Sequence, residues 1–273
     1  MLRILLLIVL ILLAGCTTQD EPRVVQPTSS EVVAFVAVHM ETASDEHSLA
    51  YQETYWPAVV ELVELADSYG YSLTLKFTPQ WGMYIAQDPE KLAVVHQWQA
   101  EGHEIGLHHH GYSHVNWDGY TAVASHATDD EYLGDIEEMY ANVSILSSTG
   151  IITLAAMTDE ETDWPADKGI LYETEGIPGV NDEADCCFVS SPEPSNIAGV
   201  TQLQSMPYAT QRGGGLTLPE IIQAISTLEE GQYIGLTLND IGFSENREQV
   251  VKLFDAFKKQ NVAVKTVSDI LSA

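Results

Sequence analysis

The sequence predicts an α/β domain on a parallel sheet, either closed as a barrel or wound on both faces. Three observations carry this. From residue 32 onward, short apolar or β-branched runs alternate with longer segments of helical spacing. The first run, Val32 to Val38 (VVAFVAV), is continuously apolar, as expected of a strand covered on both faces. The chain has 273 residues, 45% of them hydrophobic, which is enough to bury a real core. No internal repeat or boundary interrupts residues 31–273, so they read as one domain.

The elements follow in order. Residues 49–69 carry Leu49, Val59, Val60, Leu62, Val63, Leu65 and Ala66 at helical spacing, closed by Gly70. Ser72 to Phe77 reads as the second strand, and Pro89 to Ala100 as a helix opened by Asp88 and closed by Gly102. His103 to His108 is the third strand. Residues 129–147 read as a helix with acidic residues in its first turn, and Ile151 to Ala156 as the fourth strand. Residues 165–215 are rich in Gly, Pro, Ser and Asp and are expected to be irregular, with short strands near Ile170 and Val200. A helix over Thr217 to Glu230, a strand over Tyr233 to Leu238, a helix over Glu245 to Lys259 and a strand over Val262 to Thr266 complete the chain.

Charge excludes some partners. Eleven Lys and Arg against 40 Asp and Glu give −29, so the chain lacks the basic face that nucleic acid requires. The same charge opposes direct docking on an anionic membrane surface. The simplest reading of so many acids is a solvated surface. The N-terminus nevertheless points to export. Arg3 precedes an apolar run that ends in Leu13-Ala14-Gly15-Cys16, too short for a comfortable span and flanked like a cleaved signal peptide. The ending resembles a bacterial lipobox. Residues 1–15 are therefore expected to be removed, Cys16 to be lipidated, and 16–30 to form a polar tether that anchors the protein to a membrane at the cell surface. Of the remaining cysteines, Cys186 and Cys187 are adjacent. A bond between neighbours is strained, so two loop thiols are the expectation.

Chemistry in such sheets gathers at the carboxyl ends of the strands. His39-Met40-Glu41, Thr78-Pro79-Gln80-Trp81, the run from His108 to His114, and Asn239-Asp240 all fall there. Four of the nine histidines lie within residues 108–114. Imidazole is the commonest ligand of zinc and its neighbours. His110 and His114, four apart, share one side of a helical turn, and His108 and His110, two apart, share one face of a strand. Glu41 or His39 would supply the third ligand of an open catalytic site.

The run Gly102-His103-Glu104-Ile105-Gly106-Leu107-His108, followed by His110-Gly111-Tyr112-Ser113-His114, resembles the second motif of the polysaccharide deacetylases, the NodB-homology group of carbohydrate esterase family 4. The resemblance extends over residues 32–270, more loosely in the last hundred. It implies an irregular (β/α) barrel that removes acyl groups from amino sugars of a cell-surface or extracellular glycan. It also implies a divalent metal, zinc first, with cobalt, manganese or nickel as alternatives. Metal ligands are then Glu41 with His110 and His114, and His108 beside them. The two aspartates that usually end the first strand are replaced by Val38-His39-Met40-Glu41, which leaves His39 or Asp45 as the base. The histidine cluster is two residues longer than the family pattern. No Arg-Pro pair occurs near 157–166, and the late Leu-His-Asp motif reads Leu238-Asn239-Asp240. Asn239 can bind an oxyanion but cannot deliver a proton, so Asp240 is the candidate acid. Trp81, Tyr112 and Trp117 are candidates for stacking on sugar rings. His103 and His96 are expected to be structural. Rival readings are a non-catalytic glycan-binding member of the fold and a metal-capturing surface lipoprotein.

Overall fold

The computed structural model describes residues 32–42, 49–158, 160–174, 193–194, 200–203, 205–208, 216–229 and 232–272. The leader, the tether with Cys16, Asp45, Cys186 and Cys187 lie outside the described residues. None of the described helices is long and apolar enough to cross a membrane.

The first strand, β1 (Val32–Met40), is the organising element. It is followed by α1 (Ala50–Tyr69), β2 (Thr74–Phe77), α2 (Pro79–Ala86), α3 (Pro89–Ala100), β3 (Glu104–His110), α4 (Ile136–Ser144) and β4 (Thr153–Met157). Four two-residue strands come next: β5 (Tyr172–Glu173), β6 (Glu193–Pro194), β7 (Thr201–Gln202) and β8 (Met206–Pro207). Then come α5 (Leu218–Ile225), β9 (Ile234–Asn239), α6 (Asp240–Gln260), β10 (Val262–Val264) and α7 (Val267–Ser272). The strands form one sheet in the order β6-β7-β5-β4-β3-β2-β1-β9-β8, curled into a half-barrel. Every pairing is parallel except β6 with β7. β10 pairs with the first half of β1 and β2 with its second half, so β1 is flanked along its whole length. The (β/α) barrel expected from the resemblance is the fold the chain has, in an open form.

The two sides of the sheet differ. Ala34, Val36, Val38, Leu75, Phe77, Ile105, Leu107, Leu154, Leu236 and Leu238 pack under the helices in the main core, against Leu62, Trp98, Met139 and Phe254. Residues between them face inward, where Phe35, Ala37, Leu203, Tyr233 and Val267 form a much smaller apolar cluster. The rest of the interior is polar: His39, Thr74, Lys76, Glu104, His108 and Thr153 are all buried. The Lys76 ammonium donates to the Leu154 carbonyl and to Thr174 Oγ1. Gly106 makes room for it, since a Cβ there would lie 2.5 Å from Thr153 Oγ1 and 3.1 Å from Lys76 Cγ. The second glycine of the GHEIG strand is therefore a packing requirement.

Several boundaries move for local reasons. Asp88 caps α3 by accepting from the Glu90 and Lys91 amides, with Pro89 at the first position, as the sequence predicts. α4 starts at Ile136 rather than 129, because Asp135 and Glu138 form a capping box. The acids before it sit in turns, where Asp129 Oδ1 accepts from the Glu131 amide. α6 starts at Asp240 instead of Glu245. Asn239 caps it, and Asn246 (φ −134°, ψ 34°) marks a kink where the predicted helix begins. α2 has no counterpart in the sequence reading. Its Pro79 start is followed by Gly82, where a Cβ would lie 2.1 Å from the Asn142 carbonyl oxygen of α4.

Candidate metal centre

The site forms where β1 and β3 end on the inward side of the sheet. His39 is in register with Lys76 on β2 and Asn239 on β9. Glu41 follows two residues later, beyond the outward-facing, fully buried Met40. Trp81 of α2 fixes this turn by donating from Nε1 to the Glu41 carbonyl, 2.9 Å. From β3, His108 and His110 face inward and His109 outward, as alternation requires.

The ring orientations are set by backbone carbonyls. Nδ1 of His108 donates to the Ala155 carbonyl, 3.0 Å, and Nδ1 of His110 to the Asn116 carbonyl, 2.9 Å. Carbonyls only accept, so in the neutral ring each Nε2 carries a lone pair. Those Nε2 atoms lie 3.8 Å and 3.4 Å from Glu41 Oε2. The rings of His39 and His108 are 4.3 Å apart, those of His108 and His110 4.5 Å, and those of His110 and His114 4.3 Å. Asp118 braces the strand end from outside. Its Oδ2 accepts from the His110 amide, 3.0 Å, and from His109 Nδ1, 2.8 Å.

Burial and neighbours set the charges. Desolvation holds His39 well below its ordinary pKa, and the charges of His108, Lys76 and His110 add to the effect. Desolvation pushes His110 down to about 3, with His108 contributing, and also lowers His114. Burial opposes ionisation of Glu41, but His108, His110 and His114 outweigh it and hold the carboxyl below its usual range. The result is one carboxylate among imidazoles, of which burial holds His39 and His110 toward the neutral form, a donor set suited to a divalent cation. Among the described residues, His39, Glu41 and His108 are the one group of three whose ligand atoms all lie within 4.8 Å of one another.

Asp240 borders this group. Its Oδ1 accepts from Tyr51 Oη, 3.0 Å, and from the Ile241 amide, 2.8 Å. Desolvation first, and the charge of Glu41 second, push its pKa up to about 8. An unfolded aspartate loses its proton near pH ~4. Between about pH 4 and 8 the folded, metal-free protein therefore binds one more proton at this position than the unfolded chain, so stability declines as pH rises and levels off above about 8. Urea midpoints in chelator across that range should fall with pH in the wild type and should lose this component in Asp240→Asn. Equal slopes in the two proteins would refute the assignment.

The other expected site residues are placed as follows. Trp81 and Trp117 are buried, and both indoles donate to backbone carbonyls, of Glu41 and Tyr120 respectively. Neither offers a face to a sugar, which corrects the stacking expectation for both. Tyr112 is 38% exposed, but one face stacks on His126 at 3.7 Å and its hydroxyl donates to Asp129. Asn239 Oδ1 accepts from the Gly242 amide at 2.6 Å, so this side chain is a helix cap rather than an oxyanion ligand. His103 accepts from the Leu73 amide and contacts Asp67, a structural role as expected. Sequence reasoning missed Tyr51 and Lys76. For Lys76 a signal existed: a lysine at an inward position of an otherwise apolar strand. Tyr51, on α1, carries no such mark.

No family model matches the sequence, and no curated protein matches it. Among solved structures, Puue allantoinase shares the fold with a TM-score of 0.56 at 15% identity, over 93% of each chain. A family 4 acetyl xylan esterase from Clostridium thermocellum, in complex with a cobalt ion, aligns with a TM-score of 0.48 at 13% identity, over 87% of this chain and 90% of that one. A CE4 family pseudoenzyme from Bacillus anthracis aligns with a TM-score of 0.48 at 11% identity, and the chain spans 66% of its length, about two thirds. The fold, shared with Puue allantoinase, carries a candidate histidine–carboxylate centre at its strand ends.

Proposed function

We propose that this chain is a metal-dependent hydrolase that removes acyl groups from amino sugars of a cell-surface or extracellular glycan. The observation that carries the reading is the convergence of Glu41 with inward-facing histidines at the mouth of this barrel. The GHEIG strand that delivers those histidines supports the substrate class, and the apolar leader with Cys16 supports an exported, lipid-anchored protein.

A divalent ion, zinc first and cobalt, manganese or nickel as alternatives, would be held by Glu41 with the histidines of β1 and β3, and would supply Lewis acidity and a more acidic water. The chain's own groups supply the proton traffic. His110, its Nδ1–H anchored on the Asn116 carbonyl, is held neutral by burial and turns Nε2 toward Glu41. Asp240, protonated up to about pH 8 and oriented by Tyr51, holds a proton for the leaving amine in place of the missing late histidine.

The test uses the protein lacking residues 1–30, loaded with zinc or cobalt, and measures acetate released from N-acetylated amino-sugar oligomers. Metal-dependent acetate release is expected. Tight metal binding with no acetate from a broad glycan panel, or hydrolysis of allantoin alone, would overturn the substrate class.

A further inference from the structure

We propose that the cation ligands are His39, Glu41 and His108, and that His114, the second histidine of the H-x-x-x-H pair, is not a ligand. The proposal rests on the metal-dependent reading above and departs from the ligand set that the motif resemblance implies.

The β1 pair comes first. His39 and Glu41 are two apart across the end of a strand, so they project to the same side. His108 reaches them from β3 across the curl of the sheet, its ring 4.3 Å from that of His39. Ligand atoms of these three residues lie within 4.8 Å of one another, and no other three among the described residues do so. The Ala155 carbonyl fixes His108 with Nε2 as the donor atom, the outer-shell contact that metal-binding imidazoles ordinarily make.

His114 has the opposite arrangement. The Asn116 amide donates to its Nδ1, 3.1 Å. That lone pair is occupied, so the ring proton of neutral His114 sits on Nε2 and no lone pair remains for a cation. The ring is half-buried and packs at a tilt against that of His110, centroids 4.3 Å apart. The chain itself supplies the cause. Counting the H-x-x-x-H spacing from His108 leads to Tyr112, and the two extra residues carry the second histidine up the loop to 114. A His₂Glu set is a known arrangement for catalytic zinc. His110 then stands beside Glu41, 3.4 Å away, outside the three-donor group.

Zinc affinity by chelator competition, and the visible absorption of the cobalt form, test this without reference to turnover. His39→Ala and His108→Ala should each weaken zinc binding by more than the ~10–100-fold typical of outer-shell partners, and should alter the cobalt spectrum. His114→Ala should stay within about threefold of wild type and keep its cobalt spectrum. His39→Gln, which fills the same space, gives a second variant if His39→Ala does not fold, and melting curves in chelator confirm folding of each. Loss of binding in His114→Ala with binding retained in His39→Gln would overturn the proposal while leaving the metal-dependent reading intact. Absence of zinc and cobalt binding in the wild type would overturn both. The expected ligand pattern without acetate release would overturn only the substrate class.

Discussion

Glu41→Gln is expected to lower metal-dependent acetate release, and zinc affinity with it, by at least ~100-fold. Glu41 is the one carboxylate among the inward-facing imidazoles, and their proximity keeps it ionised despite burial. The amide keeps the size and shape of the side chain but removes the negative charge that a cation needs. The turn should survive, because Trp81 binds the backbone carbonyl of Glu41 and not its carboxylate. The loss would then report charge rather than unfolding, as equal melting temperatures in chelator would verify. Retention of more than a tenth of wild-type turnover would remove Glu41 from the centre.

Trp81→Ala is expected to destabilise the domain by about 3–5 kcal/mol, within reach of the whole stability of a marginal protein. Trp81 is fully buried and packs against Phe77, Trp56 and Tyr84, with centroids 6.4, 6.5 and 6.0 Å away. Truncation leaves a cavity under α2 and strips the Glu41 carbonyl of its donor. Trp81→Phe separates the two effects. It keeps most of the packing, should cost about 1–2 kcal/mol from the lost hydrogen bond, and should loosen the turn that presents Glu41. Denaturant midpoints of the two variants decide the point. A Trp81→Phe midpoint equal to that of the wild type would mean that the indole nitrogen contributes nothing.

Much of the fold was legible because its signals are local. The Val32–Val38 run, the helical spacing of 49–69 with its glycine cap, and the Asp88-Pro89 start all hold in the structure. The errors are local as well. A capping box at Asp135 outweighed the acidic turn before it, and the Asn239 cap extended α6 back to the strand. α2 escaped notice because its eight residues are short for a periodic pattern and begin at a proline that reads equally as a turn. At the site, the density of histidines was visible, but which of them converge was not.

By itself, the sequence determined the alternation of strand and helix, the delivery of several histidines to one strand end, and the strong excess of acidic over basic residues. Periodicity over two to four residues encodes these, and no distant contact is needed to read them. Tertiary structure alone decided that His39 and Glu41 meet His108 across the sheet, that Lys76 lies inside it, that Trp81 and Trp117 are buried, and that Asp240 keeps its proton. Those outcomes depend on the register between strands tens of residues apart and on the water each group loses when the sheet curls. A desolvated carboxyl or imidazole changes charge according to its neighbours, and its neighbours are set by the fold.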